Sequence, residues 1–393
     1  MTKTLANQVV DTLRAALSER NDFIPLHEPE LGDTELANVT DCIKTGWVST
    51  AGAYVGQFAD KLAEATGTKY AAPTANGTAA LHACFHMLGL GHGDEVLMPS
   101  LTFIATANSI FYTGAKPHFI DCDKDRLGVD AAKLDDYLET IGRREDEGVR
   151  NIETGGLIKA LCVVHIFGHP CDMDPIQDVC DKWGLKIVED AAEAVGSTYK
   201  GRKCGSLSDI AAVSFNGNKI ITTGAGGGVI SNDETLGPLA QHITTTAKRP
   251  HAYEFIHDYV GFNYRMPNIC AALGVAQFDR LEGFIETKRK LFTVYEKVFA
   301  GIDGVSVLKE PSDSRSNFWI NALIMDKPDE ETRDVILSKA NDAGIMLRPI
   351  WRPMHMLDIY KDNPRMPDLS MTEYHNQTVI NIPSNPKLLP LLT

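Results

Sequence analysis

The sequence has no apolar run approaching the roughly 18 residues a helix needs to cross a bilayer, so no membrane partner is expected. Its first twenty residues, MTKTLANQVVDTLRAALSER, lack the continuous apolar stretch and small-residue cleavage site of a secretory signal, and a cytoplasmic location is expected. A basic excess is lacking as well. Against 52 Asp and Glu there are 38 Lys and Arg, for a net charge of −14, and such a surface repels a phosphate backbone; nucleic acid is not an expected partner. Eight cysteines are present (Cys42, Cys84, Cys122, Cys162, Cys171, Cys180, Cys204 and Cys270) without one Cys-x-x-Cys pair, and several lie in apolar segments such as ALCVV. In a chain of this size they read as small buried hydrophobes, which sets aside a disulfide scaffold. Internal repeats, low-complexity tracts and long linkers are also missing.

What is there is a chain of 393 residues, enough for one large α/β domain and a smaller one, with 44% hydrophobic and 23% charged residues. Leu5, Val9, Leu13 and Leu17 recur at helical spacing in the first segment. An extended stretch, IPLHEPELGD, leads to helical patterns at about 34–45 and 54–66. From Lys69 short apolar runs alternate with amphipathic ones: TKYAAPTANG with TAALHACFHMLGL, DEVLMPS with TFIATANSIFYTG, AKPHFIDCD with DAAKLDDYLETIG, GLIKALCVVHIFG with DPIQDVCDKWG, and then LKIVEDAA. That order predicts parallel βαβ units with ligand groups at the C-terminal ends of the strands. Past residue 205 two strands follow one another, IAAVSF and GGVISN, and a long helix over about 268–300 links them to strands near 305–308, 317–325 and 345–348 around a helix near 329–343. The expected division is 1–265, a large domain with the N-terminal helix, and 266–393, the linking helix and a small α+β domain.

Four segments carry chemistry. In SFNGNKIITTGAGGGVISND a strand ends at Ser214-Phe215, Lys219 follows, and a Gly-rich turn comes next; a desolvated lysine there can act as a Schiff-base amine, or it is an exposed lysine in a hairpin. In IVEDAAEAVGS a buried strand ends in Glu189 and Asp190. An Asp there can face the protonated ring nitrogen of pyridoxal phosphate, or cap a helix. TANGTAAL sets Asn76-Gly77-Thr78 at a strand-to-helix junction whose free N–H groups suit a phosphate. PSLTFIATAN puts Phe103 where its ring can stack on a flat cofactor or join the core. No metal site is expected. His82 and His86 lack the glutamate of a zinc-protease helix, and Cys162, His165, His169 and Cys171 begin within a strand, where alternate side chains diverge.

In order, and over nearly the whole chain, these pieces resemble the nucleotide-sugar aminotransferases of the DegT/DnrJ type; the matching segments are TANGTAALH, PSLTFIATAN, VHIFGHPCDMDPI, VEDAAEAVGSTYKGRKCGSLSDIAAVSF, NKIITTGAGG and GFNYRMPNICAALG. The resemblance implies a fold-type I architecture, with a mainly parallel seven-stranded central sheet flanked by helices and a smaller α+β C-terminal domain. It implies pyridoxal 5'-phosphate, aminated in one half-reaction, and a homodimer with two sites at the subunit interface. By position, Lys219 is similar to the Schiff-base lysine, Asp190 to the partner of the ring nitrogen and Phe103 to the stacking ring. Gly77, Thr78 and Ser214 are similar to phosphate contacts from one subunit and Asn263 to one from the other, with Glu193 a polar group beside the ring and His165 on the neighbouring strand. NGNKIITTG, FIPLHEPELG and RPIWRPMHM resemble the legionaminic-acid branch, which aminates C4 of a UDP-linked 4-keto-6-deoxy-N-acetylglucosamine with L-glutamate as donor and 2-oxoglutarate released. The alternatives are an aminotransferase for a GDP- or dTDP-linked keto-sugar (perosamine-type or 3-amino), a dehydratase using the aminated cofactor, and a non-catalytic regulator on the same scaffold. Arg265 is a candidate for an anionic group of donor or nucleotide, and Trp47, Trp351 and His355 for the sugar pocket, unless the tryptophans are core. Two departures stand out: Ala225 where relatives carry glutamate, and a short C-terminus where relatives carry one more helix.

Overall fold

The computed structural model describes residues 2–17 and 23–391. Helices α1 (Thr2–Ala16), α2 (Asp33–Thr45) and α3 (Ala53–Thr66) precede the first strand. α2 and α3 each stop at a glycine in the left-handed region, Gly46 at φ 76° and Gly67 at φ 67°, a conformation a Cβ would strain. Strands and helices then alternate as β1 (Tyr70–Thr74), α4 (Gly77–Met87), β2 (Asp94–Pro99), α5 (Ala105–Tyr112), β3 (Lys116–Ile120) and α6 (Ala131–Ile141). A hairpin of β4 (Gly142–Glu145) and β5 (Gly148–Asn151) intervenes before β6 (Leu157–Val164), α7 (Met173–Trp183) and β7 (Lys186–Asp190). Short strands β8 (Thr198–Tyr199) and β9 (Arg202–Lys203) lead to β10 (Ile210–Ser214), β11 (Gly227–Ser231) and α8 (Leu236–Ile243). A small hairpin, β12 (Lys248–Arg249) and β13 (Ile256–His257), precedes the long helix α9 (Asn268–Phe299). Beyond it come β14 (Val305–Val307), β15 (Ser314–Arg315), β16 (Asn321–Met325), α10 (Glu330–Asp342), β17 (Arg348–Pro349), α11 (Ser370–Thr378) and β18 (Val379–Ile382).

The central sheet has the order β1-β11-β10-β7-β6-β2-β3, with the β4–β5 hairpin added antiparallel to β6. Its neighbours pair in parallel from β10 through β7, β6 and β2 to β3, and β11 runs against both β1 and β10. Because side chains alternate across a strand, each buried strand feeds two layers. Val96, Met98, Ala160 and Cys162 join α4, α5 and α8 on one face, while Leu97, Leu161 and Val163 join α6 and α7 on the other. Each fully buried aliphatic side chain contributes roughly 1.5–3 kcal/mol. All eight cysteines are free, and seven of them are buried.

The mainly parallel seven-stranded sheet and the presence of a smaller C-terminal sheet match expectation. The latter has the order β14-β16-β18-β17, in which β18 lies outside the expected strands and β17, Arg348–Pro349, stands at the end of the strand expected near 345–348. Three further details differ. The β4–β5 hairpin has a polar, charged sequence without the apolar alternation of a strand, and it is held by edge pairing instead. The strand expected from 317 begins at Asn321, because Asn317 to Trp319 are drawn into a different set of hydrogen bonds, described below. The N-terminal helix, grouped above with the large domain, packs elsewhere: Ala6, Val9, Leu13 and Leu17 cluster with Tyr295, Phe299, Leu323 and Ile336, the C-terminal layer. Its periodicity located the apolar stripe but carried no information about which sheet receives it. The terminal LLPLLT runs through a 3-10 turn at Pro386–Leu391, and residues 392–393 lie outside those described. No described helix is long and apolar enough to cross a membrane.

Candidate active site

The C-terminal ends of the parallel strands open onto a cavity of about 360 Å³. In register, Asp190 at the end of β7 stands opposite Val164 on β6 and Ala212 on β10, and Ser214 ends β10 two residues further on. Past β1, Asn76 caps α4 by accepting from the Ala79 N–H at 2.8 Å, which leaves the N–H groups of Gly77 and Thr78 without a partner among the described residues. The helix sits close against the sheet. A Cβ on Gly77 would lie 2.8 Å from that of Ser214, and one on Gly227 would lie 2.5 Å from the Asn76 carbonyl carbon. Glycine is what lets this junction approach so closely.

Lys219 comes from the loop 215–226, which is closed by its own backbone bonds: Phe215 N–H to Gly226 O at 2.8 Å, Lys219 N–H to Asn216 O at 2.9 Å and Thr223 N–H to Phe215 O at 3.0 Å. The Lys219 side chain is 13% exposed. Its Nζ lies 3.2 Å from Glu193 Oε1 and 4.0 Å from the ring centroid of Trp319. Burial pushes the Glu193 carboxyl up from its ordinary range, against the pull of the Lys219 charge and the Phe167 N–H it accepts at 2.8 Å. Burial likewise pushes the Asp190 carboxyl up. It is opposed by the Thr106 hydroxyl, which donates to Oδ2 at 2.7 Å, and by the Ala192 N–H, which donates to Oδ1 at 3.2 Å.

The C-terminal unit closes the cavity. Trp319 and Trp351 line it, and Trp351 lies 6.4 Å from Phe103, centroid to centroid. The segment carrying Trp319 is clamped to the large sheet: Asn317 Nδ2 donates to the carbonyls of Glu193 and Val195, both at 2.9 Å, and Ser316 Oγ donates to Gly168 O at 3.0 Å. Phe167 and Phe318, one on each side of this clamp, hold φ of 56° and 46°, a conformation that bulky residues rarely adopt.

Of the residues singled out in the sequence, Gly77, Thr78, Phe103, Asp190, Glu193, Ser214, Lys219 and Trp351 share this one cavity. Five do not. His165 is fully buried beneath it, with Nε2 2.8 Å from Glu189 and Nδ1 accepting the Cys171 N–H, so it has no free edge for a substrate. His355 is tied to Ser100, Nδ1 to Oγ at 2.7 Å, outside the lining. Trp47 is 60% exposed. Asn263 and Arg265 are exposed on the strip that pairs with Thr245 and Thr74, and Arg265 lines a separate groove between α3 and α8. Trp319, Thr106 and Asn317 escaped the sequence reading. Thr106 lies in the first turn of α5, in a pattern that reads as an ordinary helix start. The segment NFWIN offers only strand-like alternation.

The residues fit pyridoxal phosphate. The helix N-terminus at Gly77 and Thr78, with Ser214 beside it, offers unpaired donors to a phosphate. A buried carboxylate that burial has pushed up gains from a protonated ring nitrogen. Phe103, 54% exposed, presents a ring face at the cavity wall.

Comparison with known proteins agrees with this geometry. Residues 29–390 match the family described as the DegT/DnrJ/EryC1/StrS aminotransferase family. The chain is 36% identical over 370 residues to a GDP-perosamine synthase of Escherichia coli O157:H7, covering 93% of this chain and 94% of that one. It is 35% identical over 370 residues to the GDP-perosamine synthase of Vibrio cholerae, covering 93% and 95%. Among solved structures, the aminotransferase TlmJ from Streptoalloteichus hindustanus superposes with a TM-score of 0.83 at 26% identity, covering 94% and 98%.

Proposed function

We propose that this chain, which belongs to the DegT/DnrJ/EryC1/StrS aminotransferase family, moves an amino group from L-glutamate to the C4 ketone of a GDP-linked 4-keto-6-deoxy sugar. Membership makes it a pyridoxal-phosphate-dependent transferase acting on nucleotide sugars. The GDP assignment is finer. It rests on the two GDP-perosamine synthases, which favour the GDP alternative over the UDP-linked legionaminic branch suggested by the wording of three segments.

One observation carries the reading: Lys219 Nζ and the Asp190 carboxylate open onto the same enclosed space, with the α4 N-terminus and Ser214 beside them. Pyridoxal phosphate, when bound, supplies an aldehyde for the amine and an electron sink for the carbanion. Lys219 Nζ would then move the proton from the donor's α-carbon to the cofactor's former aldehyde carbon, and in the reverse half from that carbon to the sugar carbon. Asp190 holds a proton on the ring nitrogen, and Thr106 fixes that carboxylate's angle by donating to Oδ2. Gly77, Thr78 and Ser214 take the phosphate, Phe103 covers a ring face, and Trp351 borders the sugar side. Trp319 and Trp351 keep bulk water from the amine.

A homodimer with the sites at its interface belongs to the same proposal. Supporting it, Asn263 and Arg265 are exposed and outside the lining of their own cavity, and the preceding stretch exposes Tyr253, Phe255 and Val260 at 83%, 79% and 75%. We also propose a division at residue 265, with α1 assigned to the C-terminal unit it packs on.

The test is an endpoint assay with glutamate against GDP-, UDP- and dTDP-linked 4-keto-6-deoxy sugars, read by mass spectrometry. An amino sugar formed fastest on GDP is expected. Faster turnover of a UDP-linked N-acetyl sugar would replace the nucleotide assignment, and a deoxy product without nitrogen would replace the reaction.

A further inference from the structure

We infer that the indole face of Trp319 is the resting place of the Lys219 ammonium, which makes Trp319 a positioning residue for the amine that does the chemistry. The inference rests on the reading of Lys219 as the cofactor-bearing lysine.

An amine in this role is alternately bound and free. It is displaced when an amino donor arrives, carries a proton, and must be at hand when the carbonyl carbon is released. Between those events a flexible four-carbon stem holds a charge on a side chain that is 13% exposed. Without a local partner that charge would fold back onto backbone carbonyls or reach toward solvent. The structure supplies two partners that bracket it. Nζ is 4.0 Å from the Trp319 centroid, well inside the distance at which a cation is attracted to the ring quadrupole, and 3.2 Å from Glu193 Oε1.

The ring is itself immobilised. Trp319 is 6% exposed, its Nε1–H donates to Asn218 O at 2.6 Å, and its backbone N–H donates to Asn317 Oδ1 at 2.8 Å. Its carbonyl accepts from Lys288 Nζ at 3.0 Å. Asn218 adjoins Lys219 in sequence, so the indole bond ties the ring to the loop that carries the amine, and the two cannot drift apart independently. Asn317 in turn holds the backbone of Glu193, the other bracket, through its carbonyl. Ring, carboxylate and amine are therefore one fixed set, contributed by both parts of the chain. A π face suits a charge that must leave repeatedly, because beside the Glu193 bond it adds attraction without a second directional hydrogen bond that each departure would have to break.

The test reads the amine directly, in the cofactor-free protein. Acetic anhydride acylates an amine but not an ammonium, so its rate at Lys219 near neutral pH, followed by peptide mass spectrometry with surface lysines as internal references, reports how strongly the charged form is held. Tryptophan analogues bearing one, two and three fluorines are placed at position 319 by nonsense suppression. They keep the shape and the Nε1–H while progressively weakening the ring's attraction for a cation. Acylation of Lys219 is expected to rise stepwise with fluorine number, by about 2- to 30-fold over the series. Trp319→Phe should fall within that range and Trp319→Leu at or above its top. A flat response across the fluorinated series overturns the inference even if Trp319→Leu alters activity, since only packing would then remain. Borohydride reduction of the pyridoxal-phosphate-loaded wild type, followed by peptide mapping, tests the underlying reading separately: an adduct on a lysine other than 219 would remove that reading, whatever the acylation rates.

Discussion

Two lysines are drawn in from solvent for opposite purposes, Lys219 with its side chain 13% exposed and Lys288 fully buried. Lys219 opens onto a cavity and is met by a carboxylate and an aromatic face. Lys288, in the middle of α9, is wholly inaccessible and is met by two backbone carbonyls, of Trp319 and Ser384. Burial holds the Lys288 amine well below the usual lysine range. A neutral amine has two N–H bonds, and two carbonyls are what it finds. Desolvation alone therefore does not mark a reactive lysine. Reactivity needs open space on one side and partners that can release the amine, whereas Lys288 is a buckle joining α9 to the strand ends of the C-terminal sheet.

The comparison breaks most visibly at Lys219. Lys219→Ala should lower turnover by on the order of 10⁴-fold and abolish the visible absorbance that bound pyridoxal phosphate acquires on joining an amine, with little change in melting temperature. Retention of both signals would mean that another amine does the work. Next in size is Asp190→Asn, which keeps the shape and the Thr106 contact but cannot hold a proton on the ring nitrogen. A fall in kcat on the order of 10²–10³ is expected, with the cofactor still bound, as read by parallel kinetics and absorbance titration. Loss of binding with kcat intact would recast Asp190 as an anchor.

Much of this contrast could be read from residues alone, for a physical reason. Lys219, Asp190, Gly77, Thr78 and Ser214 sit at the ends of apolar strands beside glycine-rich or capping sequences, and strand ends in a parallel sheet share one rim. Trp319 lines the same cavity, and Thr106 and Asn317 hold the Asp190 and Glu193 that line it, but all three lie in stretches whose patterns resemble ordinary strand or helix. The roles of Trp319 and Asn317 depend on how two parts of the chain dock, which periodicity does not encode. The same limit explains α1, whose apolar stripe was evident and whose receiving surface was not. His165 shows the reverse error. A histidine near a strand end looked available, yet both ring nitrogens are spent on Glu189 and Cys171. Asn263 and Arg265 lie outside the cavity of their own chain, so a single chain's geometry gives them no contact there.

Lys288 offers a smaller effect of another kind. Lys288→Met should leave two buried carbonyls unmatched and cost about 1–3 kcal/mol of stability, while turnover falls less than about tenfold. The sign of its pH dependence follows from linkage. Between the depressed pKa of the folded state and the ordinary lysine value of about 10.4, the unfolded chain binds a proton that the folded chain does not, so this residue's contribution to stability rises with pH. Wild type minus variant, measured by thermal unfolding from pH 6 to 10, should therefore grow toward the alkaline end. A difference that shrinks with pH would mean that the buried amine is charged and that the contrast with Lys219 is one of access only.

The smallest expected effect separates the amine from the wall around it. Phe103 is 54% exposed although it lines the cavity, and half-exposed aromatic rings on a cavity wall are costly to leave wet. A flat cofactor laid on that ring would bury it, and the gain from aromatic contact beyond the area covered is about 0.5–1.5 kcal/mol. Phe103→Leu retains an apolar side chain but loses the π face, so the cofactor should dissociate about 2- to 12-fold more readily, as followed by absorbance during dialysis. The rate of the chemical step with the cofactor saturating should be nearly unchanged, because Lys219 and its two brackets come from other segments. A large fall in that rate with normal cofactor retention would show that Phe103 acts on the amine, and the division between a reactive lysine and a passive wall would have to be redrawn.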